Sequence, residues 1–164
     1  MKRIIFILGI LIFSFTAVTV DAFEYGYTST GFKYVIHKHN ESSYQHAWCA
    51  QHNGIEEYEN KDFTRVDCLT DKYAVEFDFA NKWAESIGQA LHYQYMTGKK
   101  AKVVLIVEDP KKEMVYYKRV KRLGRKHHFA VEYVTPEILN IDENGKCPYL
   151  DCKCRRKDKK ESEE

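Results

Sequence analysis

The chain has 164 residues, with 26 Lys or Arg, 24 Asp or Glu and seven His, for a formal net charge of +2. That length holds one domain with a real core and is short for two. A balance so near neutral excludes the bulk positive charge of a protein that coats nucleic acid.

Residues 1–22, MKRIIFILGILIFSFTAVTVDA, have the layout of a secretory signal: Lys2 and Arg3, an apolar run from Ile4 to about Val20, and Ala22 at the cut. Cleavage after Ala22 is expected. An uncleaved anchor is the alternative, because the run is only just short of a membrane span. Either way the folded part is expected outside the cytoplasm, in a periplasm or secreted. Once residues 1–22 are gone, 24 basic residues face 23 acidic ones and nothing is left to hold a membrane.

Residues 23–40 are aromatic-rich, punctuated by Gly26 and Gly31, and read as an irregular or hairpin-like lead-in. Asn40 is a fair cap for a helix from Glu41 to about His52, stopped by Asn53-Gly54. Three short strands follow at roughly 55–59, 63–69 and 73–79, with Asn60-Lys61-Asp62 and Thr70-Asp71-Lys72 as the turns. Asn81 is expected to cap a second helix that runs to Thr97 and ends at Gly98. AKVVLIV at 101–107, apolar but for Lys102, fits a strand covered on both faces. Pro110 opens a third helix ending near Gly124, and Phe129 to Thr135 is a last strand before Pro136. The domain so defined spans 41–144, and 145–164 is a charged, Cys-containing tail expected to be disordered at its end. The order predicts an α/β fold: a single domain with an αβββαβ core, three layers and a central mixed sheet.

Five cysteines in an exported chain point to disulfides with one left over. One bridge between Cys49 and Cys68 and another within Cys147, Cys152 and Cys154 is a scheme the count allows, although spacing does not fix connectivity. A zinc knuckle in the tail would lack a fourth ligand, and an oxidised or buried Cys49 fits better than a thiol nucleophile. Residues 111–128 hold eight Lys or Arg and two His against one acid, Glu113. That is either a solvated helix face or a phosphate-tracking surface.

The stretch 65–93 carries the chemistry. On a strand Glu76 and Asp78 share one face while Val75, Phe77 and Phe79 point the other way. Two acids together on an apolar strand are costly unless a cation or a reaction uses them. Lys82, Ser86, Gln89 and Tyr93 fall in one narrow arc of the second helix, with Glu85 at its edge, while Trp83, Ile87, Ala90 and Leu91 occupy a different arc expected to bury against the sheet. Hard oxygen ligands such as Asp67 and Glu76 suit Mg²⁺ or Mn²⁺.

The pattern Asp67, Glu76-x-Asp78, then Gln89-xxx-Tyr93 on the following helix resembles the PD-(D/E)XK (restriction-endonuclease-like) nuclease superfamily, closest to its RecB-type branch. The likeness covers about residues 41 to 107. It implies a Mg²⁺-dependent (or Mn²⁺-dependent) hydrolase that cleaves phosphodiesters in nucleic acid, DNA rather than RNA, with no small-molecule cofactor. By the resemblance Asp67, Glu76 and Lys82 are catalytic. Asp67 and Glu76 hold the metal, Glu41 matches an acid that many members carry, and Gln89 and Tyr93 face the nucleic acid or support the site; Asp78, on the same strand face as Glu76, is a further oxygen ligand outside the family pattern. The chain departs from the pattern at Asp78, where the superfamily carries lysine. Lys82, one turn into the next helix, is the stand-in; without it the fold would be a catalytically inactive binding protein outside the cytoplasm.

Overall fold

A computed structural model describes residues 24–143, 145 and 146. The residues read as signal and the tail cysteines Cys147, Cys152 and Cys154 lie outside them. No helix among the described residues is long and apolar enough to cross a membrane. The chain divides into two units, 1–36 and 37–164. In the first, β1 (Glu24–Tyr27) pairs antiparallel with β2 (Lys33–Ile36), and Gly31 takes the turn at φ +82, a value glycine adopts without steric cost. The aromatic lead-in is thus a hairpin.

The second unit runs α1 (Glu41–Gln51), β3 (Ile55–Glu59), β4 (Arg65–Leu69), β5 (Tyr73–Phe79), α2 (Trp83–Thr97), β6 (Lys100–Ile106), α3 (Pro110–His127), β7 (Ala130–Val134) and α4 (Pro136–Leu139). One five-stranded sheet in the order β3-β4-β5-β6-β7 is antiparallel across β3, β4 and β5 and parallel across β5, β6 and β7. The mixed central sheet and α/β class are as the sequence predicts.

Alternation along β5 and β6 separates two cores. Val75, Phe77, Phe79, Val104 and Ile106 pack on one side against Tyr44 and Trp48 of α1 and Leu139 of α4. Val103 and Leu105 pack on the other against Trp83, Ile87 and Ala90 of α2 and Val120 of α3. With both faces covered, β6 can be apolar from Val103 to Ile106. A disulfide joins Cys49 of α1 to Cys68 of β4, and its closed loop stabilises the fold by about 3 kcal/mol in the chain-entropy model. Gly54 sits against it: a Cβ there would lie 2.3 Å from one sulfur and 2.7 Å from the other.

The local caps behave as expected at α1, where Asn40 Oδ1 accepts from the Ser43 amide at 3.0 Å, and at Gly98, which is left-handed after α2. Three expectations are corrected. Asn81 does not cap α2; a 3-10 turn over Ala80–Lys82 leads into it and Lys82 holds the cap position without a side-chain bond. α3 runs past Gly124 to His127, because that glycine serves a close approach rather than a stop: a Cβ would lie 2.7 Å from the Phe129 carbonyl oxygen. Leu91, placed in the buried arc of α2, is exposed.

Candidate functional site: a buried carboxylate cluster

β5 is the central strand of the sheet, and Glu76 and Asp78 on it are each only 3% exposed. Since Val75, Phe77 and Phe79 face α1, the two acids face the α2 layer. There Tyr93, itself buried, reaches the Glu76 carboxyl, and its hydroxyl donates to Gln89 Oε1 at 3.4 Å. Tyr93 thus links Gln89 to the Glu76 carboxyl.

Asp67 arrives from the neighbouring strand by an irregularity. The β4–β5 ladder holds at Leu69↔Ala74 and Cys68↔Val75 and goes no further. Where Asp67 would face Glu76, its side chain replaces the ladder: Oδ2 accepts from the Phe77 amide at 2.7 Å. The strand also turns over at this point. Cys68 packs with the α1 core, whereas Val66, two residues earlier, packs with Ala74 and Tyr93 on the α2 side, although residues two apart on a regular strand share a face.

The opposite ladder is broken at the same level. β3 and β4 pair at Glu56↔Cys68 and Tyr58↔Val66 but skip Glu57, which has φ +51. A non-glycine residue in the left-handed region is strained by roughly 1–2 kcal/mol. The gap is filled by Gln45 of α1, whose Nε2 donates at 2.7 Å both to the Asp67 carbonyl and to Glu57 Oε1. Asp67 is therefore fixed by its main chain through Gln45 and by its carboxylate through Phe77. Neither Gln45 nor Glu57 was singled out from the sequence. Gln45 stands four residues after Glu41, on the same face of α1, which is the one signal that could have found it. Gln45→Leu is expected to destabilise the fold by about 1–3 kcal/mol, since a buried carbonyl loses its donor. Glu57→Gly should cost less, because strain relief offsets the lost bond; thermal unfolding of the two variants checks the order.

Four carboxyls share this space. Burial raises Glu41 to about 7, helped by the negative charges of Asp78 and Asp67. Burial likewise raises Asp67, against the hydrogen bonds from Phe77 and Glu76 that favour its charged form. Glu76 is pushed furthest, well above neutrality, by burial and then by the charge of Asp67 and its hydrogen bond to it. Asp78 is raised by burial in spite of Lys82, whose Nζ lies 3.3 Å from Asp78 Oδ1. Lys82 is itself half exposed, and its charge pulls Glu41 down. It thus stands at the Asp78 and Glu41 end of the cluster.

One atom is left over. Glu76 Oε2 is buried and no hydrogen-bond partner reaches it. A buried carboxylate oxygen without a donor is costly, so it calls for its own proton or a cation. The donor set is all oxygen, which suits a hard ion such as Mg²⁺ or Mn²⁺. Among the described residues no three His, Cys, Asp or Glu side chains form a ready-made metal-binding group. Asp67 and Asp78 give oxygens to Phe77, Phe79 and Lys82, so a cation would have to compete with protons and N–H donors for them.

No family model, no curated protein and no solved structure matches this chain.

Proposed function

We propose that this domain is a restriction-endonuclease-like, metal-dependent nuclease that hydrolyses phosphodiester bonds in nucleic acid, with DNA as the substrate. The observation that carries the reading is the Asp67–Glu76 pair, with Glu76 Oε2 buried and unpartnered beside it. Asp67 and Glu76 would hold Mg²⁺ or Mn²⁺, with Asp78 and Glu41 as further oxygen donors. Bound there, a divalent cation would supply Lewis acidity to a phosphate oxygen and lower the pKa of an adjacent water.

The remaining roles belong to the chain's own groups. Glu41, raised to about 7 without a metal, would release its proton as the cation binds. The Lys82 ammonium beside Asp78 supplies positive charge where the superfamily pattern has its lysine, from a neighbouring element. Tyr93 and Gln89 hold the Glu76 side of the cluster in place. The Cys49–Cys68 cystine supports an exported protein, since such bonds persist in oxidising compartments.

The test is cleavage of plasmid and single-stranded DNA by the purified protein with Mg²⁺ or Mn²⁺, and its abolition by chelator. A second reading, a catalytically inactive binding protein of the same fold, is favoured by one feature: Asp78 occupies the lysine position and engages the Lys82 ammonium. It predicts that DNA stays intact under every metal condition.

A further inference from the structure

The basic stretch 111–128 is the feature of the sequence that the carboxylate cluster leaves unused. Its placement is specific. Within α3, Lys111, Lys118, Arg122 and Arg125 are all exposed and fall in an arc of about 60° at helical spacing, running some 20 Å along the axis. Exposed Lys121 and Lys126 flank them. The only acid of the helix, Glu113, is 4% exposed and turned inward, where its Oε2 accepts from the Glu108 and Asp109 amides at 2.7 and 2.9 Å. The outward face of α3 is therefore basic with no acid on it.

The sheet gives this face a direction. α3 packs on β7, at one edge, and shares with α2 the layer that Glu76 and Asp78 face. The other edge is β3, with Glu56, Glu57 and Glu59. The glutamates of β3 are met by Arg65 and His46, so the basic face of α3 is the one-signed surface of the unit, with the carboxylate cluster on the strand between the two edges. α3 also touches the 3-10 turn that ends at Lys82, and Arg119 lies 4.8 Å from the Trp83 ring just beyond it.

We propose that the outward face of α3 is a sequence-independent landing surface for the DNA backbone, from which the strand reaches the carboxylates of β5; the choice of DNA rests on the nuclease reading. Charge complementarity fixes the partner as a polyanion. An anionic membrane fits less well. An interfacial helix needs a free apolar face, and Met114, Tyr117, Val120 and Leu123 of α3 are spent on the core.

The experiment is fluorescence anisotropy of a short labelled duplex with the full chain in EDTA, across a salt series. With about three or four phosphates neutralised, the log–log slope is expected near −3. In the triple variant Lys118→Glu, Arg122→Glu, Arg125→Glu that slope should collapse toward zero, and affinity should fall at least about tenfold at low salt. Its melting temperature should match the unsubstituted protein, since these side chains are exposed. Salt-independent binding, unchanged affinity in the triple variant, or a preference for phosphatidylserine vesicles that duplex does not displace would each overturn the proposal. Asp67→Asn separates the two readings: it should bind duplex as the unsubstituted protein does and not cleave it. DNA left intact by the unsubstituted protein under every metal condition would remove the nuclease reading and leave the landing surface standing, whereas cleavage by Asp67→Asn would only take Asp67 out of the site. An inert Asp67→Asn with an unimpaired triple variant would do the reverse.

Discussion

Asp67→Asn and Glu76→Ala are each expected to lower Mg²⁺- or Mn²⁺-dependent cleavage of plasmid DNA by at least about 100-fold. Asparagine is the informative choice at Asp67, because its amide oxygen can still accept from the Phe77 amide and keep the strand in place. Alanine there would leave that N–H without a partner and confound chemistry with stability. Lys82→Met should cost less, on the order of tenfold, since the ammonium is half exposed and already neutralised in part by Asp78. Supercoiled plasmid nicking, with melting temperatures measured alongside, distinguishes loss of the site from loss of the fold. Full activity in both Asp67→Asn and Glu76→Ala would falsify the assignment of the site.

Glu76→Gln is expected to stabilise the metal-free protein at pH 8 while abolishing cleavage. In the fold Glu76 keeps its proton to well above neutrality, whereas in the unfolded chain it releases it near its ordinary value of 4.5. Between those values the native state binds more protons than the unfolded state, so stability falls as pH rises. The slope for one such fully buried carboxyl is at most about 1.4 kcal/mol per pH unit. Unsubstituted protein should therefore melt several degrees higher at pH 5.5 than at pH 8. A glutamine of the same shape carries no such cost, and its profile over this range should be flatter. Mn²⁺ competes with protons for the same oxygens, so it should raise the melting temperature more at pH 8 than at pH 6. A pH-independent melting temperature in the unsubstituted protein would contradict the buried, protonated state of Glu76.

The parts legible in the sequence are those set by local periodicity. Alternation on 73–79 puts Glu76 and Asp78 on one face, Asn40 and Gly98 mark helix ends, and the apolar run from Val103 to Val107 announces a strand covered twice. The parts that were not legible depend on approach between elements. Gly124 looks like a helix stop until the Phe129 carbonyl is seen against it. Glu57 looks like one more acid on a polar strand, and only its φ of +51 and the amide of Gln45 tie it to Asp67. The turn-over of β4 at Asp67 has no sequence mark at all, since RVDCL reads as regular alternation.

The cystine between Cys49 and Cys68 has both sulfurs fully buried beneath Gly54, so a thiol can attack it only when α1 lifts away from β4. Those are the elements that carry Gln45 and Asp67. The speed at which a mild reductant opens the bond, followed by alkylation and mass, is then a built-in gauge of how often the walls of the acid cluster breathe apart.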